Sequence, residues 1–134
     1  MKTYRNVLKI VSLLIIFGGI VRLFANETVF IIFGMDALWT DHDYFFYIYK
    51  VLGAFVILTG LVIYSISRDI NKNLNILNTI KLGLFIIGAT MAISGFIVKL
   101  PLIFYLPDFL FCFLITILFQ IISNKVKKTS KKVV

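Results

Sequence analysis

The chain reads as an all-α integral membrane protein, a four-helix bundle with both termini on the cytoplasmic side. Three observations predict this. Sixty per cent of its 134 residues are hydrophobic and 15% are charged, whereas a soluble domain carries roughly 45–50% apolar residues. The apolar residues gather into four stretches, about 7–24, 45–66, 80–98 and 102–122, each near the ~20 residues a helix needs to cross hydrocarbon. The cations fall mostly on one side of those stretches, as eleven of the fourteen lysines and arginines lie at the N-terminus, in the middle loop or in the tail.

Taken in order, the first stretch has the start of a signal peptide, with Lys2, Arg5 and Lys9 before an apolar core. Arg22 follows that core, and Leu23 is too large for a small-x-small cleavage site ending at Ala25, so a retained helix is expected. The first outer loop, 26–44, mixes an apolar run at 29–33 with Gly34, which permits a turn. Trp39, Tyr44, Tyr47 and Tyr49 supply aromatic rings of the interfacial kind. This loop is expected to be partly ordered and to lie on the membrane, with a short helix starting near Asn26. After the second stretch, residues 67–79 carry Asn71, Asn73, Asn75 and Asn78, which favour turns and caps, and read as a linker. The second outer loop is short, with Pro101 and Pro107 bracketing 102–106 and delaying the final helix. Residues 124–134 form a basic tail, and the whole chain, 1–134, is expected to be one transmembrane domain.

The charge pattern sets the orientation and the partners. Lysine and arginine in short loops mark the cytoplasmic side, which places both termini and the middle loop there. Arg22, Lys50 and Lys99 remain for the outer side, with Glu27, Asp36, Asp41, Asp43 and Asp108. The formal charge of +8 therefore does not call for nucleic acid, because Lys125, Lys127, Lys128, Lys131 and Lys132 lie directly after a membrane span. Anionic lipid is the expected partner of that tail, at about 1 kcal/mol per cation near the surface. Cys112 is the only cysteine, so an internal disulfide, a CxxC redox pair and a thiolate zinc site are all excluded. No phosphate-binding glycine loop, nucleophile elbow or HExxH motif occurs, and no cofactor is implied.

One constellation stands out. Gly88, Ala92, Gly95 and Lys99 recur at helical spacing, as do Lys50, Gly53, Ile57 and Gly60, and Gly18 and Gly19 lie one turn before Arg22. Small residues mark where membrane helices approach one another, so the three cations are expected to face inward and line an outer-leaflet pocket. Asp36, Asp41, Asp43 and Asp108 are the available counter-charges, and Trp39 and Tyr47 the walls. The competing reading is that the cations reach to headgroups and pin the loops through ion pairs. His42, between Asp41 and Asp43, makes a triplet able to hold a cation weakly, although a lone loop histidine is by default a surface residue.

The segment 22–69, with its pieces RLF, FGMDALW, FYIYKVLGAFVILTGL and SISRD, resembles the BphX-like family of small bacterial membrane proteins. That resemblance implies a four-helix protein of the bacterial inner membrane, distantly similar to DoxX-like proteins, some of which are linked to quinone-dependent oxidation. It carries over no catalytic residues. The expected function is a non-enzymatic structural, accessory or ligand-binding subunit that acts with a membrane-protein partner or further copies of itself. The alternative is a subunit of a quinone- or small-molecule-linked redox system. An oligomeric transporter is the third reading, disfavoured because Asp43 and Asp108 lie only at helix ends and no acidic residue lies deep inside a span to exchange protons.

Overall fold

The computed structural model describes residues 2–130, and those residues are helix and turn with no strand among them. The helices are α1 (Lys2–Leu23), α2 (Glu27–Ile32), α3 (Asp43–Arg68), α4 (Leu74–Ile97) and α5 (Leu102–Ser130), with one 3-10 turn at Asp36–Leu38. Four of them, α1, α3, α4 and α5, are long and apolar enough to cross a membrane. They form two compact units, a first hairpin of α1 and α3 with α2 between them, and a second of α4 and α5. Lys131 and Lys132 of the basic tail lie outside the described residues.

The helices outrun the apolar stretches that reveal them. Hydropathy measures how much chain suits hydrocarbon, whereas helical hydrogen bonding continues into polar residues until something stops it. Residues 124–128 of the tail thus extend α5, and Val126 among them is only 1% exposed. The expected linker of 67–79 contracts to the five residues between α3 and α4. Asp69 organises that turn, since its carboxylate accepts from the Lys72 N–H at 3.1 Å and its carbonyl accepts from the Asn73 amide at 2.8 Å. Pro107 does not delay α5 but lies inside it. At that position the ring gives up the bond to the Ile103 carbonyl and crowds it, yet the helix continues.

The first hairpin is held by backbone approaching backbone. A Cβ added to Gly53 would meet the Gly19 carbonyl oxygen at 2.9 Å, and one added to Gly19 would meet the Gly53 carbonyl oxygen at 2.8 Å. Seven residues along each helix the contact recurs, where a Cβ added to Gly60 would meet the Ser12 carbonyl oxygen at 3.0 Å. The antiparallel register is therefore set by small residues. Ser12 and Ser67, both buried, keep their hydroxyls bonded within their own helices, to Lys9 and Tyr64 carbonyls at 2.7 Å and 2.5 Å.

The second hairpin follows the same seven-residue spacing with larger side chains on one partner. Gly88 lies against Cys112 and Gly95 against the Tyr105 ring, and Cys112, Phe119 and Val126 are buried at successive sevens along α5. A repeat of seven matches 3.5 residues per turn, which keeps two helices in contact along a left-handed crossing. Outside these stripes the helices present large exposed apolar residues, such as Phe17, Phe55, Phe85 and Ile93. Such faces suit acyl chains and would be a liability in water.

Gly53→Ala is expected to lower the detergent Tm, because the added methyl meets Gly19 O and Leu23 N, main-chain atoms that cannot step aside. The cost should be about 1–3 kcal/mol, as for other overpacked contacts. Gly83→Ala, where nothing lies within 4 Å, should leave the Tm unchanged or raise it. Equal effects of the two substitutions would contradict the packing described.

Candidate functional site

The first hairpin carries most of the candidate residues at one end, where α1 stops, the α2 segment crosses and α3 begins. Asn26 starts α2 by accepting the Val29 N–H on its side-chain oxygen at 3.0 Å. At the other end of α2 the chain turns through Gly34 at φ 66°, with the Met35 N–H bonded to the Phe30 carbonyl and the Gly34 N–H to that of Ile31. This is the Schellman closure, which needs a left-handed residue where Gly34 stands. The short helix expected near Asn26 is present, and its stop signal was legible in Gly34.

Phe30 is the centre of this segment at 3% exposure. Its ring meets Trp39 at 5.2 Å, Tyr49 at 5.3 Å and Phe45 at 6.0 Å, and Trp39 meets Phe46 edge-on at 4.7 Å. Each such pair contributes about 0.5–1.5 kcal/mol beyond area burial. The loop is thus folded into an aromatic cap. Of the aromatics singled out from sequence, Trp39 and Tyr49 join it, while Tyr44 and Tyr47 pair with each other at 6.5 Å and remain exposed. Phe30, Phe45 and Phe46 were missed, because nothing in a phenylalanine-rich sequence distinguishes a ring that anchors a loop from one that faces lipid.

The polar candidates of the cap serve the loop itself. Asp41 accepts from the Trp39 indole N–H at 3.1 Å and so fixes the ring that packs on Phe30. The Nδ1 atom of His42 accepts from the Tyr44 N–H at 3.2 Å, while its carbonyl accepts from Phe45 at 2.9 Å. His42 therefore caps the start of α3. Nδ1 is therefore taken up by the main chain at the start of the helix. Asp36 opens the 3-10 turn and Asp43 the first turn of α3, where a carboxylate meets the positive end of the helix dipole, and both are exposed.

Arg22 is half-buried in the last turn of α1. The absent side chain of Gly53 makes room for its stem, since a Cβ there would meet the Arg22 Cβ at 3.0 Å, and one guanidinium nitrogen donates to the Gly18 carbonyl at 3.4 Å. Tyr49 precedes Gly53 by one helical turn, so the aromatic cap and the seat of Arg22 share a face of α3. Lys50 is exposed.

Lys99 and Asp108 belong to the second hairpin, at the turn between α4 and α5, and both are exposed. The helical spacing that aligned Lys99 with Gly88 and Gly95 does not reach it, because α4 ends at Ile97. Lys99 instead adopts φ 56°, with the Leu100 N–H bonded to the Gly95 carbonyl at 3.0 Å and its own N–H to Phe96 at 3.2 Å. The closure is the one made at Gly34, with a lysine in the glycine position. Left-handed backbone is strained for a side chain other than glycine, asparagine or aspartate. From Tyr105, near the turn, a file of aromatic rings runs along the hairpin through Phe109 and Phe113 to Phe85, in sequential contact at 5.7–6.1 Å.

Lys99→Gly is expected to raise the detergent Tm by relieving that strain, worth about 1 kcal/mol. A fall would show that the lysine side chain holds the turn by contacts that outweigh its backbone cost.

Set against models of known protein families, curated proteins and solved structures, the chain matches none, so the role of the site rests on its own residues.

Proposed function

We propose that the chain is a multi-pass protein of the bacterial inner membrane, with both termini and the turn between α3 and α4 cytoplasmic, acting as a non-enzymatic accessory or ligand-binding subunit. The observation that carries this reading is the aromatic cap. Phe30, Trp39, Phe45 and Tyr49 spend their packing on giving one end of the first hairpin a fixed shape, beside the seated Arg22 and the exposed Lys50. A loop with only a connecting role needs no such ordering, since short polar connections between membrane helices suffice. The exposed Phe24, Ile31, Ile32 and Phe33 suit the headgroup boundary or a membrane partner.

A second reading, a subunit of a quinone-linked redox system, is favoured by aromatic walls next to a guanidinium, a combination that suits a flat ring with polar oxygens. Extraction in mild detergent separates the two. Recovery of a stable protein partner with no quinone supports the accessory role; a quinone retained by the wild type and lost in Arg22→Gln and Lys50→Gln overturns it.

Orientation is tested by cysteine labelling after Cys112→Ala. Thr40→Cys and Asn71→Cys are suitable because both positions are exposed and neither side chain is used in the loop bonds described. An impermeant reagent added to intact cells should label the first and spare the second; the opposite pattern reverses the topology.

A further inference from the structure

The end of the second hairpin opposite Lys99 carries a polar ladder across its two helices. Lys81 of α4 donates its Nζ to the Gln120 side-chain oxygen at 2.6 Å, and the Gln120 amide nitrogen donates to the Asn124 side-chain oxygen at 2.9 Å. Lysine has no acceptor, so its presence decides the orientation of both amides. Gln120 must turn its oxygen to Lys81 and therefore its NH2 to Asn124, which must then answer with its oxygen. The chain of bonds is one-way. It begins at an ammonium and ends at the Asn124 NH2, an exposed donor.

Position makes that donor end significant. Lys81 comes directly before the long apolar run of α4, and Gln120 is the first residue of strongly polar type after that of α5, so both mark the hydrocarbon boundary. At 29 residues α5 is about 43 Å long, against ~30 Å of hydrocarbon, so its last turns emerge from the core as ordered helix. On that emergent helix Lys127 and Lys128 lie one turn beyond Asn124 on the same side, both exposed, while Val126 faces inward at 1% exposure. The Ser123 hydroxyl donates to Asn78 of α4 at 3.0 Å and fixes the two helices at this level.

We propose that Lys81, Gln120, Asn124, Lys127 and Lys128 form a binding site for the phosphate headgroup of an anionic phospholipid. The ladder hands its hydrogens from Lys81 through Gln120 to Asn124, leaving the Asn124 amide and the exposed Lys127 and Lys128 on one side of the helix end, and charge complementarity selects an anionic lipid over a zwitterionic one. The inference rests on the chain being a membrane protein but not on which side of the membrane this end occupies. It goes beyond a basic tail adsorbed on the surface, because two uncharged side chains and a lysine of α4 take part.

The test uses the full chain in nanodiscs of phosphatidylcholine with a graded fraction of phosphatidylglycerol, and measures lipid retained on transfer to mild detergent by native mass spectrometry. Wild type should retain phosphatidylglycerol preferentially. Lys127→Gln and Lys128→Gln should each weaken retention about fivefold, the effect of one charge near an anionic surface, and Asn124→Leu should weaken it with no change of net charge. Lys2→Gln, a charge at the other end of the sequence, should leave it unchanged. If Asn124→Leu is silent and every lysine including Lys2 counts equally, only diffuse adsorption exists and the site is overturned, as it is if both lipids are retained alike. Should Lys81→Gln lower the Tm by loosening the hairpin, the outcome is still decided by Asn124→Leu and Lys128→Gln, at exposed positions. A reversed result in the Thr40 and Asn71 labelling would change the leaflet and leave this outcome intact.

Discussion

At Gly19 and Gly53 two main chains lie close enough that neither position has room for a methyl group, and the arrangement of the first hairpin depends on that approach. Acyl chains are as apolar as leucine, so helices in lipid gain little from burying apolar surface against each other. Close packing has to supply the attraction, and it grows only where backbones can meet. The same requirement selects Gly60 against Ser12, and Gly88 against Cys112 in the second hairpin. It also creates the seat of Arg22, whose stem crosses the space that a side chain at position 53 would fill. The seat of Arg22 thus follows from helix contact.

Helix ends in this protein are closed by their own residues. Orphan N–H and C=O groups near hydrocarbon cannot rely on bulk water, and Asn26, His42, Gly34 and Lys99 each satisfy one end. The pair of Schellman turns is informative because chemistry differs while geometry does not. Gly34 adopts its left-handed backbone at no steric cost, whereas Lys99 carries strain. Part of the compensation is a cation at the negative end of the α4 dipole, worth about 0.3–1 kcal/mol.

The two ends of the second hairpin are built on different principles. Near Lys99 aromatic rings pack, Tyr105 on Phe109 and Phe109 on Phe113, and near Lys81 hydrogen bonds run between helices through Gln120, Asn124, Asn78 and Ser123. Rings are sequence-tolerant filler with weak directionality, whereas amides and an ammonium fix both position and polarity. An end that must present donors outward is better served by the second solution. In the first hairpin, where Phe30 gathers Trp39, Phe45 and Tyr49, a loop acquires shape without committing many polar groups.

The sequence by itself determined that the chain is helical, that four of its helices are of membrane length, and that small residues mark contact faces, although it did not separate Gly19, which makes the contact, from Gly18, which does not. These are one-dimensional properties: a period and a count survive without knowing which helix is the neighbour. Asn26 and Gly34 were readable for the same reason, as caps act within a few residues. The tertiary structure alone decided that α4 ends before Lys99, that His42 caps α3, that Phe30 rather than any tyrosine anchors the cap, and that Lys81 meets Gln120. Each of these depends on a partner elsewhere in the sequence or on the point where a helix begins or ends, and periodicity carries no information about its own ends. Arg22, Lys50 and Lys99 stood out in the sequence because charge is conspicuous in an apolar chain. Gln120 and Asn124, uncharged and within a helix, gave no such signal until Lys81 was placed opposite them.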